Sequence, residues 1–217
     1  MAKLTFDEME KRLYEAGVSM GVLYPMDANG EYPLGVAWNG LSNVTESPSG
    51  AEPTDIYADN ILYLSLTSAE KFEGSIDAYY YPDEFEACDG SAEVVPGVTI
   101  GQQDRIKFGL CYRTEIGDGN TSSKGYKLNL VYGLLASTTE KVHDSINDSP
   151  ELSPMSWDVS ATPIAVTGFK PTAILKIDST KVEAAKLSAL EDLLYGTAAT
   201  EASLPTPDEV IALVNAA

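Results

Sequence analysis

The chain has 217 residues, of which 14 are Lys or Arg and 33 are Asp or Glu, so it carries a net charge of −19. Because phosphates are bound mainly by cationic side chains, this charge argues against a protein that binds the phosphate backbone of a nucleic acid. With 44% apolar residues, the sequence is long enough to bury the core of one large domain, and we expect one domain with helical ends.

The first residues lack a long apolar run behind a basic end, so we expect no secretory signal, and no apolar run approaches the roughly 20 residues that cross a bilayer. We therefore expect synthesis in the cytoplasm and no membrane partner. Cys88 and Cys111 are too few for a disulfide framework, and we expect both to be free thiols that serve in packing.

The N-terminal segment, residues 1–17, is predicted to be a short helix or arm, since Thr5 and Glu8 form a capping-box pattern and Gly17 follows as a stop. A main β domain is predicted over residues 18–180. Runs rich in apolar and aromatic residues predict strands at Ser19–Tyr24, Gly35–Trp38, Ile61–Leu66, Ser75–Tyr81 and from Ile100 onward.

Residues 39–60 are predicted to form a long loop, because they are poor in apolar residues and contain turn signals at Ser47–Gly50 and Glu52–Asp55. Loops of this length inside a compact domain are either functional or disordered, and the residues alone leave a mobile loop and a binding loop equally open. The acidic excess is concentrated between positions 46 and 104, which contain 13 acidic residues and one basic residue, Lys71. An acidic excess usually indicates a solvated face that keeps a protein soluble.

The stretch from Arg105 to Thr162 carries the clearest strand patterns. Apolar and polar residues alternate with a period of two in three segments, Arg105–Ile116, Tyr126–Leu134 and Met155–Thr162. In the second segment, one side of the predicted strand collects Tyr126, Leu128, Leu130, Tyr132 and Leu134. The sequence is therefore predicted to be mainly β.

Residues 181–217 are predicted to form C-terminal helices and an arm. Two capping-box patterns mark the helix starts, Thr180 with Glu183 and Thr206 with Glu209. One or two further helical turns are predicted at Pro82–Cys88, where a proline and acidic residues stand in the first turn.

Catalytic chemistry is poorly supported. The single histidine, His143, lies in a polar stretch without a nucleophile-elbow motif, so a solvated loop residue is the better interpretation. The Gly117–Gly125 segment lacks the spacing of a phosphate-binding loop. Asp83, Glu84 and Glu86 could bind a hard cation, although adjacent carboxylates usually form a solvated helix face. We therefore expect neither an enzyme nor a protein with a metal or cofactor.

Several strings of this sequence resemble, in their order, the major tail protein of long-tailed bacteriophages, and more closely the non-contractile type. They are Gly21–Pro25, Gly35–Leu41, Glu46–Thr54, Tyr57–Ile61, Phe108–Gly117, Gly125–Ala136, Ile146–Pro163 and Gly168–Thr180. The resemblance covers residues 17–196. It rests on the number and order of the strings, since none of them is a chemical motif.

The resemblance implies a tail-tube β-sandwich that contributes strands to an oligomeric β-barrel, with short flanking α-helices. It implies a structural virion protein, synthesised in the bacterial host cytoplasm. Its hexameric rings would stack into the tail tube, a conduit through which phage DNA passes without specific binding. A tape-measure protein and the tail-tip and terminator proteins are the implied partners.

In that family a long loop reaches the neighbouring ring. The resemblance assigns this contact to residues of the predicted loop, namely Glu46, Ser47, Pro48, Glu52, Asp55 and Asp59. We expect residues 46–59 to become ordered only on assembly, and deletion of Ser47–Pro53 is expected to leave folded subunits that no longer make tubes.

The tail-tube hypothesis also gives the acidic excess a role. An acidic channel would repel the phosphates of the DNA, whereas a basic lining would bind them and slow its passage.

Two other interpretations stay open. A surface or pilus-like β-sandwich module that binds a glycan or a protein is the first, and the absence of a predicted secretory signal argues against it. A tube subunit inside a contractile sheath is a close variant of the tail-tube hypothesis.

Overall fold

The computed structural model describes residues 6, 12–118, 124–143, 145 and 152–215. The strands in this part of the chain are β1 (Leu13–Pro25), β2 (Val36–Ala37), β3 (Leu41–Glu46), β4 (Pro53–Ala58), β5 (Ile61–Thr67), β6 (Glu73–Ala78), β7 (Ala92–Val95), β8 (Val98–Ile100), β9 (Phe108–Asp118), β10 (Gly125–Glu140), β11 (Met155–Ala161) and β12 (Ile174–Asp178). The helices are α1 (Glu86–Asp89), α2 (Ala184–Tyr195) and α3 (Pro207–Asn215), and a short 3-10 turn, Asp83–Phe85, precedes α1. The protein is therefore mainly β, as predicted.

Eight of these strands form one antiparallel sheet in the order β2, β1, β9, β10, β11, β6, β3, with β12 paired to β10 beside this path. The 16-residue strand β10 pairs with two strands along its length, with β12 through its residues 127–131 and with β11 through its residues 134–140. We call β1, β2, β9, β12 and the first part of β10 the covered half. We call β3, β6, β11 and residues 134–140 the bare half.

The two halves fold over one another and enclose the larger core cluster. The bare half contributes Ile76, Trp157 and Val159 to it, and the covered half contributes Leu110 and Tyr112. Aromatic rings fill its centre, with the Phe85 ring 4.6 Å from that of Trp38 and 5.2 Å from that of Trp157. This cluster fixes the bare half on the covered half.

The opposite face of the covered half lies under the C-terminal helices. Leu190 and Leu194 of α2 and Val210 of α3 pack on strand residues such as Leu128 and Leu130. Tyr24 in β1 also donates a hydrogen bond to the carbonyl oxygen of Leu194 over 2.6 Å. The described part of the C-terminal segment therefore docks on its own subunit, and it hides this face of the sheet.

A bulge at Gly133 redirects β10 and corrects the predicted alternation. Gly133 has a φ of +62° and the register shifts between Val131 and Leu134. The bulge inserts one residue, so Leu134 joins the core between the halves instead of lying with Tyr132 under the helices. The prediction that Tyr132 and Leu134 share a side is therefore wrong, because an uninterrupted period of two does not allow for a bulge.

The predicted helix starts have different outcomes. Thr206 and Glu209 form the capping box, with the Thr206 amide donating to Glu209 Oε2 over 2.8 Å, so this prediction is confirmed. The capping box predicted at Thr180 is wrong, since the Thr180 hydroxyl donates to Asp178 and α2 begins only at Ala184, without a side-chain cap. Helical turns within Pro82–Cys88 are confirmed by the 3-10 turn and the first residues of α1.

At the N-terminus, the predicted helix is wrong where the structure describes it. Leu13–Ala16 belong to β1 and pair with residues 115–118 of β9, so the sheet begins at Leu13 rather than at residue 18. The long β9 supplies free backbone groups that an extended segment satisfies better than an isolated helical turn. The Thr5 and Glu8 capping pattern lies outside the described residues.

Asp89 anchors the segment between β6 and β9. Its buried carboxylate accepts hydrogen bonds from the Thr138 hydroxyl, from Trp157 Nε1 over 2.9 Å and from Lys141 Nζ over 2.7 Å. Burial of the Lys141 ammonium works against its charge, but the hydrogen bond and charge of Asp89 outweigh it, so the pKa of Lys141 is raised. The same segment inserts Phe85 and Cys88 into the core, and it carries the β7–β8 hairpin.

Replacement of Gly133 by alanine tests the role of the bulge. A Cβ at Gly133 would lie 2.6 Å from the carbonyl oxygen of Thr162, and its φ is left-handed, so we expect Gly133→Ala to lower the free energy of unfolding by about 2–4 kcal/mol. Gly168 is the matched control, because its φ is +79° but no atom lies within 4 Å of its Cβ position. Gly168→Ala should cost about 1 kcal/mol. Urea unfolding measures both, and equal losses would contradict a steric role for the bulge.

Candidate assembly surfaces

The predicted loop at residues 39–60 is a structured ribbon in the described chain. Residues 41–46 form β3 and pair with β6, and residues 53–58 form β4 and pair with β5. A bridge between Ser49 and Lys71 links the two ladders, so the ribbon runs from the sheet to a tip at Asp59 and Asn60. The prediction of an irregular loop is wrong for these strands.

The turn at the tip of the ribbon has a sequence signal that the loop prediction missed. Asp59 and Asn60 have φ values of +50° and +63°, and Ala58 pairs with Ile61, so two left-handed residues close the hairpin. Asp and Asn tolerate this conformation better than other residues with a side chain, and a two-residue hairpin turn requires it. An Asp-Asn pair between Ala58 and Ile61 could therefore have predicted the turn.

The six residues assigned to this contact by resemblance fall in different places. Asp55 lies in β4 and Asp59 at the tip, whereas Glu46 ends β3. Ser47, Pro48 and Glu52 lie between β3 and β4. Glu46 is engaged within its own subunit, since its carboxylate accepts hydrogen bonds from the Tyr112 hydroxyl and from Lys176 Nζ, each over 2.7 Å.

The β4–β5 hairpin is exposed along its whole length. Every residue of both strands is exposed, and the two strands pair only with one another in the described chain. Its large apolar side chains are 36–67% exposed, and they are Ile56, Tyr57, Ile61, Leu62, Tyr63, Leu64 and Leu66. A two-stranded ribbon without a packed face is marginally stable in water, and large exposed apolar patches are typical of contact surfaces.

A second exposed hairpin lies on the other side of the bare half. The β7–β8 hairpin follows α1, which touches β10 through the bond between Asp89 and Thr138. Its strand side chains Val94, Val95, Val98 and Ile100 are 44–60% exposed. The two apolar hairpins therefore flank the bare half, one beyond β3 and one beside β10.

The outer face of the bare half is polar and acidic. Because Ile76, Trp157 and Val159 point into the core, their neighbours along the strands face outward. The outward positions form cross-strand rows, namely Thr45, Ser75, Asp158 and Ser137; Asn43, Asp77 and Ser156; and Glu73, Ser160 and Leu135.

Cations are missing from the strands of this face. Segments 41–46, 73–78, 134–140 and 155–161 contain no Lys or Arg, while Glu73, Asp77 and Asp158 stand at outward positions. Arg105 lies at the margin, where its Nε donates to the carbonyl oxygen of Asp89 over 3.1 Å. A phosphate chain would therefore meet a repulsive surface here.

The bare half has two edges that lack a strand partner in the described chain. β3 pairs only with β6. On the other side β9 begins at Phe108, opposite Leu134, so residues 135–140 are paired by β11 alone. Unpaired edges invite pairing with another chain.

The histidine and the two cysteines lie in an exposed connector and in the core, respectively. His143 is exposed in the connector after β10. Within the described ranges, no group of three or more His, Cys, Asp or Glu residues could hold a metal ion. Cys88 and Cys111 are buried and free, as expected, and burial raises the pKa of each thiol to about 12.

Comparison with known proteins adds no family to this description. No protein-family model matches the sequence, and no curated protein is significantly similar to it. Among the described helices, none is long and apolar enough to cross a membrane.

The isolation of the β4–β5 hairpin can be tested by stability. Ile56 and Leu64 form a cross-strand pair, and their joint replacement by threonine keeps strand propensity while removing apolar surface. Since neither side chain is buried, we expect the free energy of unfolding to change by less than about 0.5 kcal/mol. Leu128→Ala, in the core under the helices, is the control and should cost about 2–5 kcal/mol. A comparable loss from the hairpin variant in urea unfolding would mean that the hairpin packs on its own subunit.

Proposed function

We propose that this chain is the tail-tube subunit of a long-tailed, non-contractile bacteriophage, a structural protein that stacks as hexameric rings around a channel for DNA. The observation that carries the proposal is the bare half, a cation-free sheet with two unpaired edges and an apolar hairpin projecting from one of them. The unpaired edges and the exposed apolar hairpin are liabilities for a monomer in water. A ring that pairs the edges and covers the hairpin removes both liabilities.

Strand polarity supports closure of a ring. β3, β6, β11 and β10 are antiparallel in succession, so β3 and β10 run in opposite directions. Rotation about a ring axis preserves strand direction, and β3 of one copy would therefore lie antiparallel to residues 135–140 of the next. Such a heterologous contact closes when the rotation allows it, and the bare halves then form one barrel wall without free edges.

The packing of the two halves supports one choice for the face of the channel. Helices α2 and α3 hide one face of the covered half, and the core hides the other. The outer face of the bare half is the remaining broad sheet surface, and Glu73, Asp77 and Asp158 would line the channel. Their charge would keep the DNA near the axis, because no cation is present on these strands to exchange with its counterions.

The remaining parts of the proposal follow from the tail-tube hypothesis. The β4–β5 hairpin would contact a neighbouring ring, and Asp55 and Asp59 are the residues of the implied set that this hairpin carries. The partners would be further copies of the chain, a tape-measure protein, and the tail-tip and terminator proteins. The location would be the virion tail, and DNA would pass without specific binding.

Charge reversal tests the channel face. Virions assembled with Glu73→Lys, Asp77→Lys and Asp158→Lys should eject their DNA several-fold more slowly, most at low salt, because each lysine adds a salt-dependent attraction to phosphate. The control reverses three exposed acids on the helical side, Glu183, Asp192 and Glu201. Ejection kinetics followed by dye uptake compare the two. Equal rates for the channel and control variants would contradict the assignment of the face.

Removal of the hairpin tests its part in assembly. A variant in which residues 54–66 are replaced by a short glycine turn keeps the Ser49 and Lys71 bridge, which a deletion of residues 47–53 would remove. We expect this variant to keep the near-ultraviolet circular dichroism of the folded chain and to form no tubes, because the exposed apolar ribbon is lost. Electron microscopy measures tube formation. Tubes of normal length would exclude the hairpin from the contact between rings.

A further inference from the structure

An apolar groove runs along the outer edge of β12. It encloses about 420 Å³ between β12, the turn that follows it and α3. Its apolar lining includes Leu175, Val182, Ile211 and Val214. In the described part of the chain β12 pairs only with β10, so the backbone along the groove has no strand partner on its outer side.

The groove lies in a locally basic stretch of an acidic protein. Residues 170–186 contain four lysines, at positions 170, 176, 181 and 186, against Asp178 and Glu183, which gives a local charge of +2. Three of these lysines have acidic neighbours, with Lys181 Nζ 3.2 Å from Asp178, Lys186 Nζ 3.7 Å from Glu183 and Lys176 Nζ 2.7 Å from Glu46. Lys181 is 79% exposed, so its pair with Asp178 is weak and leaves it able to meet another carboxylate.

The ribbon that ends in the β4–β5 hairpin has the opposite charge. Residues 46–70 contain five acids and no Lys or Arg, a local charge of −5. The hairpin also offers an unpaired strand edge and an exposed apolar pair, Ile56 and Leu64. Edge, apolar surface and charge are therefore each complementary between the hairpin and the groove.

We infer that the groove along β12 receives the β4–β5 hairpin of a second copy of this chain. The inference rests on the proposed self-assembly and names the surface on which the hairpin lands. One strand of the hairpin adds to the edge of β12, its apolar side chains pack against Ile211 and Val214, and Asp55 approaches Lys181. The hairpin of the same copy does not fill this groove, because all residues of β4 and β5 are exposed.

Disulfide trapping between two different chains tests the contact. A chain carrying Leu62→Cys in the hairpin is mixed with a chain carrying Ile211→Cys in the groove, so a disulfide between the two sites joins separate copies. The native thiols do not compete, since both are buried and their pKa values are raised to about 12. The matched control pairs Leu62→Cys with Val95→Cys, which is exposed on the β7–β8 hairpin.

The outcomes separate this inference from the proposed function. Assemblies that contain the disulfide between positions 62 and 211, and little between 62 and 95, are expected. Assemblies without the disulfide to position 211 overturn the docking site and leave self-assembly in place. A chain that stays monomeric at its highest soluble concentration, even beside purified tail tips, with no cross-link, overturns both. A single chain carrying both Leu62→Cys and Ile211→Cys that closes the disulfide within the monomer also overturns the docking site.

A charge swap gives a second, independent readout. Lys181→Glu should raise the concentration needed for assembly several-fold, and Asp55→Lys in the same chain should restore it, because the pair is reversed rather than removed. Lys170→Glu is the control, since it makes the same charge change outside the groove lining. Equal effects of the two lysine variants, or no rescue by Asp55→Lys, would overturn the contact.

Discussion

The shared strand β10 is the constraint on which the rest of this structure depends. Its first part pairs with β12 and its second part with β11, and the bulge at Gly133 separates the two. The bulge turns Leu134 and Ala136 into the core between the halves, while Leu130 and Tyr132 stay under the helices. One strand therefore belongs to both halves of the sheet, whose outer faces are packed under helices in one half and open in the other.

The division of the sheet at Gly133 separates packed surfaces from an exposed acidic surface. Both faces of the covered half are packed, one in the core and one under the helices. Tyrosine hydroxyls also donate hydrogen bonds to the C-terminal segment, from Tyr24 to the carbonyl oxygen of Leu194 and from Tyr132 to that of Pro205. Only one face of the bare half packs in the core. Its other face points outward and carries acidic side chains, with no Lys or Arg in the same strand segments. The hairpin beyond β3 adds apolar surface that the subunit itself does not cover. Under the tail-tube proposal, these three surfaces are the wall, the channel lining and the contact between rings.

The sequence allowed prediction of the strands that have one buried and one polar face. β9 and β11 show this pattern, and Trp157 and Val159 lie in the core as the alternation indicates. The run of apolar and aromatic residues also predicted β5, over Ile61–Leu66. β4 shows no such pattern, because none of its residues is buried in the subunit. If another copy covers the hairpin, its apolar residues are buried by a contact between chains, which a pattern of burial within one chain cannot predict.

Other misses have local causes. Asp178 Oδ1 accepts hydrogen bonds from both the amide and the hydroxyl of Thr180, which holds Thr180 in the turn after β12, and α2 begins only at Ala184. Asp89 could not have been identified as an anchor from its neighbours in sequence, because its three donors, Thr138, Lys141 and Trp157, come from distant strands and connectors. The assignment of Glu46 to a contact between rings stays a prediction, but nothing in the sequence indicates that its carboxylate also accepts hydrogen bonds from Tyr112 and Lys176. Such networks depend on topology, which a single sequence specifies only through the complete fold.

Negative-stain electron microscopy of the purified chain, across a concentration series with and without purified tail tips, tests the central claim most directly. The account predicts stacked rings around a continuous central channel, at high concentration alone or at lower concentration when tips are present. Dispersed monomers at every concentration, even beside tail tips, would contradict it and would favour a binding module of the surface or pilus-like class.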